Sequence, residues 1–337
     1  MNKLRGLVAS TALATVFLAS GSAHASLTSF QTYVGNYGVS TAGWGSNTQS
    51  GTITASVPFG ATVVAAYLYT STTGFSGAGG TLNGNAISYT ALPINGSACC
   101  SLQAGRADVT SIVKAIVDGG VGGVYGFGIT ESSSAQDGEA LAVVYQLASL
   151  ATSTIGILDG FASVTGDSTS INFADPLDPT APGFVANMAL GIGFSFDGPG
   201  CSGGSQTSTV AVNGTTITNN AGCNDSSVDA TPANGNLITV GGYINGVNAS
   251  ILPSIAADHE MYNLVPQITK GDTSIKVDTA NISHDDNIFL AVLQVTGKAG
   301  INEAPPDSTG VPEPASLAIL GLGLLGLYQM RRKAKSI

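Results

Sequence analysis

Short apolar runs recur along this chain, and glycine, asparagine or serine turns close each one. Val63-Val64-Ala65-Ala66-Tyr67-Leu68-Tyr69 and Leu141-Ala142-Val143-Val144-Tyr145 are the clearest, joined by Thr154 to Val164, Met188 to Phe196, Leu237 to Ile244, Ile275 to Thr279 and Ile288 to Val295. Runs of this length suit strands better than helices, which need about 10 to 12 residues. Asn83-Gly84 and Asn213-Gly214 are tight hairpin signals, the second inside a Thr209 to Ile217 strand pair. Charged residues make up only 9% of the chain, which leaves little for the Lys- and Glu-rich outer faces of helices. The chain is therefore all-β, and strands this frequent suggest sandwich or jelly-roll architecture.

One segment departs from that pattern. Val109, Ile112, Val113, Ile116 and Val117 fall at helical spacing, with Asp108 placed as N-cap and Gly119-Gly120 at the end. Met261, Leu264, Val265 and Ile268 repeat the spacing before Gly271, and Pro266 shortens or kinks that copy. The strands after the two segments match as well. Asp137-Gly138-Glu139-Ala140-Leu141-Ala142-Val143 faces Asp286-Asn287-Ile288-Phe289-Leu290-Ala291-Val292, and Leu82-Asn83-Gly84 faces Val212-Asn213-Gly214. These pairs imply two tandem β-sandwich modules, each with a short helix, at 26–166 and 167–298. The boundary falls near the turn residues Asp175-Pro176-Leu177-Asp178-Pro179. Residues 299–310, with Pro305-Pro306 and Gly310, read as a flexible linker.

Both ends look like addresses. Lys3 and Arg5 precede an apolar run from Leu7 to Leu18, and Ala23-His24-Ala25 supplies a small-x-small cleavage site, so 1–25 reads as a signal peptide. At the other end Val311-Pro312-Glu313-Pro314 leads into an apolar stretch up to Met330, followed by Arg331, Arg332, Lys333 and Lys335. As a helix, Ala315 to Met330 reaches only ~24 Å, short of the ~30 Å hydrocarbon core, and Gly321, Gly323 and Gly326 weaken it. The basic cluster would stay on the cytoplasmic side and stop transfer. This order of motif, short hydrophobic helix and basic end, over 311–337, resembles the PEP-CTERM sorting signal of exported bacterial proteins. The resemblance implies an exosortase-type membrane enzyme as partner, with Val311 to Pro314 as its recognition element and the inner membrane as a transient location. A permanent anchor with Pro-Glu-Pro as juxtamembrane linker is the alternative. The first module, through Tyr67-Leu68-Tyr69, Arg106-Ala107-Asp108-Val109-Thr110 and Leu158-Asp159-Gly160-Phe161, also resembles poorly characterised jelly-roll-like modules of bacterial surface proteins.

Between the two addresses only Arg106, Lys114, Lys270, Lys276 and Lys298 stand against 20 acidic residues, a net charge of −15. Such a body repels nucleic acid and anionic membrane surfaces. Its four cysteines, after export into an oxidising compartment, suggest structural bridges. A Cys201–Cys223 bridge would close a 23-residue loop and contribute about 3 kcal/mol. The adjacent Cys99 and Cys100 either form a strained vicinal bridge or pair with Cys201 and Cys223.

The search for catalytic machinery finds little. His259 and His284 are the histidines of the body, and neither a zinc-binding H-E-x-x-H nor a G-x-S-x-G elbow occurs. Asp137 with Glu139, and Asp285 with Asp286, lie where turns are expected, and carboxylates with carbonyls there are calcium candidates. Trp44 alone is thin equipment for a dedicated carbohydrate binder, and the scattered threonines around Thr52-Ile53-Thr54 keep no period that would match ice. The expectation is an exported, non-enzymatic surface or extracellular-matrix protein of a Gram-negative bacterium, associated through its sorting pathway with exopolysaccharide. The rivals are a polysaccharide hydrolase using paired carboxylates, and a permanently anchored periplasmic binding module.

Overall fold

Alternate residues of the central strands face two different cores, which explains why their sequences are apolar throughout rather than alternating. The computed structural model describes residues 27–44, 49–74, 77–93, 102–163, 165–195, 208–221, 237–240, 260–281 and 287–305. Their strands form four antiparallel sheets. Sheet I runs β3 (Ser50–Val57), β9 (Gly123–Glu131), β5 (Gly80–Leu82) and β6 (Asn85–Ile87). Sheet II runs β2 (Tyr37–Trp44), β10 (Gln136–Gln146), β4 (Thr62–Thr73), β8 (Leu102–Asp108) and β7 (Thr90–Ala91). Sheet III runs β1 (Thr28–Gly35), β11 (Ser153–Asp159), β19 (Asn287–Thr296) and β13 (Ala186–Ser195). The far edge of β13 carries β16 (Leu237–Val240) and β17 (Glu260–Asn263) end to end. Sheet IV runs β15 (Thr215–Ala221), β14 (Ser208–Val212), β18 (Ser274–Asn281), β12 (Asp167–Phe173) and β20 (Ala299–Ile301).

Three cores stack these sheets in the order I, II, III, IV. Ile53, Phe127 and Ile129 of sheet I meet Leu68, Leu141 and Val143 of sheet II. Tyr67, Tyr69, Ala140, Ala142 and Val144 on the other face of sheet II meet Ile155, Ile157, Phe289 and Val292 of sheet III. Leu158, Leu190, Ile192 and Leu293 of sheet III then meet Ile171, Val210 and Ile275 of sheet IV. Each large aliphatic side chain withdrawn from water here is worth roughly 1.5–3 kcal/mol, so the middle core also contributes to holding the two sandwiches together.

The sandwiches I–II and III–IV repeat one topology. β2-β10-β4-β8 is matched by β11-β19-β13-β17, and β3-β9-β5-β6 by β12-β18-β14-β15. Both hairpins turn on Asn-Gly, with Asn83 and Asn213 at φ 49° and the following glycines at 77° and 78°. Only asparagine and glycine enter that left-handed region cheaply, so the turn fixes the register. The second topological copy begins at β11, earlier than a 166/167 boundary. Residues 299–301, expected in the linker, instead pair with β12 as β20, and Ala299 and Ile301 are buried.

The helix forms where its spacing predicts, as α1 (Thr110–Val117), and buries Val113 and Val117. Its N-cap is Val109 rather than Asp108, whose Oδ1 instead accepts the Thr110 N–H at 2.9 Å from one residue further out. Beside it, β8 has stopped pairing with β4 and helix side chains take over. The Ala66 N–H donates to Thr110 Oγ1, the Val63 N–H donates to Asp118 Oδ1, and Lys114 Nζ donates to the Val63 carbonyl. The second expected helix is only a 3-10 turn over Val265–Gln267. Pro266 removes a donor there, and the Leu264 N–H is already committed to the Ala186 carbonyl of β13.

Candidate functional site

Two glutamates meet inside the fold where β9 ends and β10 begins. Glu131 is the last residue of β9, and a register shift between Gln136 and Glu139, with Gly138 at φ 106°, turns Glu139 inward. Glu139 is fully buried and Glu131 is 6% exposed. Glu139 Oε1 accepts from Gln136 Nε2 at 3.2 Å and from the Tyr89 hydroxyl at 3.4 Å. Glu131 Oε1 accepts the Gly138 N–H at 2.8 Å. Gln136 is itself held, since its Oε1 accepts the Gly79 N–H and its Nε2 also reaches Thr70 Oγ1.

The two carboxyls lie near enough for the charge on Glu131 to disfavour ionisation of Glu139. Burial pushes Glu131 up to about 7, and burial followed by the nearby Glu131 charge pushes Glu139 well above the usual carboxylate range. Glu139 is the more enclosed, so burial holds it protonated more firmly than Glu131. Its Oε2 is buried with no hydrogen-bond partner, which adds to the cost of ionising it. None of the ion pairs described, Arg106–Asp159, Lys114–Asp118, Lys270–Asp178 and Lys276–Asp278, includes either glutamate. A proton is thus the group that balances the pair.

A second polar cluster joins sheet II to sheet III. Arg106 on β8 forms an ion pair with Asp159 at the end of β11, and the Tyr69 hydroxyl donates to the same carboxylate oxygen at 3.1 Å. The Arg106 guanidinium stacks 3.4 Å above the ring of Phe30 on β1, which itself meets Tyr67 edge-on. Burial raises the Asp159 carboxyl despite the opposing pull of Arg106, and burial raises Tyr69 further. Every group here is spent on a neighbour, so the cluster acts as a clamp between the sandwiches.

Sequence reasoning selected Glu139 and Asp137 but gave them the wrong setting. Both lie within β10 rather than in a turn, and the Tyr89 O–H and Gln136 N–H groups directed at Glu139 oppose a cation. Their partners in the calcium expectation, Asp285 and Asp286, lie outside the described residues. No group of three metal-ligating side chains occurs among the described residues. Cys99, Cys100, Cys201, Cys223, Ala23, Ala25, the Val311 to Pro314 motif and the Arg331, Arg332, Lys333 and Lys335 cluster also lie outside them. Glu131, Tyr89 and the Arg106–Asp159 pair escaped sequence reasoning. The one available signal was a glutamate, Glu131, closing a strand otherwise free of charge.

Among the described residues no helix is long and apolar enough to cross a membrane, a statement that does not bear on strands. No curated protein and no solved structure matches the chain, so neither comparison adds to the jelly-roll resemblance of the body. The tail is different: residues 310–333 match the PEP-CTERM protein-sorting motif. The chain therefore carries a PEP-CTERM protein-sorting motif, which implies export and sorting to the cell surface of a Gram-negative bacterium by an exosortase system.

Proposed function

We propose that the protein is a non-catalytic component of the outer surface or extracellular matrix, delivered there after an exosortase-type enzyme engages Val311 to Pro314. The observation that carries this reading is the coincidence of the motif match with a short, glycine-weakened apolar stretch and a basic end. Such a segment holds the tail in the inner membrane long enough to be recognised but makes a poor durable crossing. A role beside exopolysaccharide in biofilm follows from the company the sorting pathway keeps. The non-catalytic part is supported by the placement of the most perturbed carboxyls. Glu139 is sealed in the interior and Glu131 nearly so, where a polymer substrate does not reach.

The test replaces Pro312, Glu313 and Pro314 with alanine in the full-length chain and follows it by fractionation and intact-mass analysis. The expected result is accumulation in the inner membrane with Arg331 to Lys335 retained. Unchanged placement and processing of the variant would overturn the proposal. Reproducible turnover of a glycan by the purified wild-type protein, lost on substitution of a carboxylate, would replace it with the hydrolase reading.

A further inference from the structure

The outer face of sheet I carries a groove of about 490 Å³. Ser50 and Thr52 of β3, Thr130 of β9, and Thr81 and Asn83 of the β5–β6 hairpin wall it, and Gly128 forms part of its floor. Along β9 the inward positions are filled by Phe127 and Ile129, both buried, while the outward positions Gly126 and Gly128 are bare. Nothing in the fold asks for glycine at 128. A Cβ there would meet no atom within 4 Å, and its backbone is not among the positive-φ glycines. Close approach of another molecule to the backbone is one of the reasons a strand keeps a glycine, and at Gly128 the space for it is open.

The second sandwich supplies an internal comparison. Its hairpin docks in the same way, with the Asn213 N–H donating to the Lys276 carbonyl where the Asn83 N–H donates to the Gly128 carbonyl. Register then equates Gly128 with Lys276 and Thr130 with Asp278. In sheet IV those positions are filled, with Lys276 Nζ 2.8 Å from Asp278 and Ser168 bonded to the same carboxylate. The Asn213 amide is also occupied, by the Lys276 N–H and the Gln267 carbonyl. One scaffold is thus closed by an ion pair in one copy and left as an open trough in the other.

We propose that the trough on sheet I binds a segment of neutral polysaccharide. It has no aromatic platform, in line with the lone Trp44, so recognition rests on the Thr52, Thr81 and Thr130 hydroxyls and the Asn83 carboxamide, which exchange hydrogen bonds with sugar hydroxyls in either direction. No charged side chain lines it, so an ionic polymer finds no direct ion pair in the trough, and the net charge of −15 on the body repels acidic polymers in addition. The bare floor lets a flat pyranose ring settle on the strand. This deepens the surface-component reading by naming a partner class, and it relies on that reading only for where the partner is met. The binding test uses purified protein and is therefore independent of sorting.

The experiment passes the mature protein over immobilised dextran, mannan and β-glucan, with alginate as the acidic control, beside a Gly128→Tyr variant and a Lys276→Gly variant. Retention on at least one neutral polymer and not on alginate is expected. Gly128→Tyr should weaken it at least tenfold while its melting temperature stays within a few degrees of wild type, because the added side chain points into open space. Lys276→Gly should bind as wild type does. Failure of all three neutral polymers, equal binding by Gly128→Tyr, or a preference for alginate would each overturn the proposal.

Discussion

Ionising Glu139 would set a second negative charge beside Glu131 at the end of the I–II core, with no described ion pair to offset it. Glu139 therefore holds a proton in the folded state, and so does Glu131 below about 7, whereas the unfolded chain releases both above pH ~4.5. The sign follows directly. Between that value and about 7 for Glu131, the native state binds more protons than the unfolded one, so stability falls as pH rises. The slope is about 1.4 kcal/mol per pH unit for each group held protonated. Glu139→Gln keeps a neutral acceptor and donor in the same place, so it should leave the melting temperature unchanged at pH 4 and raise it at pH 8. Thermal melts at the two pH values decide the matter, and an equal shift at both would show that Glu139 is not held protonated in the fold.

At the scale of elements, α1 takes over the edge of β4 with side chains where β8 leaves off. Thr110→Val keeps the shape and removes both hydroxyl bonds to Ala66, and should cost about 1–2 kcal/mol in urea denaturation, with faster amide exchange at Ala66. Loss of less than a few tenths would mean that the backbone bond from Val109 to Ala66 carries the join by itself. The strands whose sequences announced them are those buried on both faces, such as β4, β10 and β19. β9 was legible only as a strand without bounds between α1 and the acidic residues near Asp137, because two of its outward residues, Gly126 and Gly128, read as turn material until their partners are in view. β20 failed for another reason, since its three residues are held by Ile171 and Phe173, far away in sequence. Distance along the chain also hid the Arg106–Asp159 contact, whereas Glu131 and Glu139 were missed as a pair because the register shift between Gln136 and Glu139 that turns Glu139 inward has no local signature.

For the whole molecule, the middle core makes the two sandwiches one body. A fragment ending at residue 150 would keep sheets I and II but expose Tyr67, Tyr69, Ala140, Ala142 and Val144 to water. It should aggregate or self-associate on size-exclusion chromatography, whereas residues 27–305 should run as a monomer and unfold in a single transition. A soluble, cooperatively melting 27–150 fragment would argue against the stacked arrangement.

The placement of β19 between β11 and β13 also bears on the order of assembly. Thr28, in the first strand, faces Asp159, and β11 in turn needs a neighbour that begins only at Asn287. A chain threading out from its N-terminus cannot zip up the third layer until almost its entire length has emerged. A prematurely terminated molecule lacks both that keystone and the tail motif, so the address at 310–333 is borne only by chains that already possess every strand needed to close.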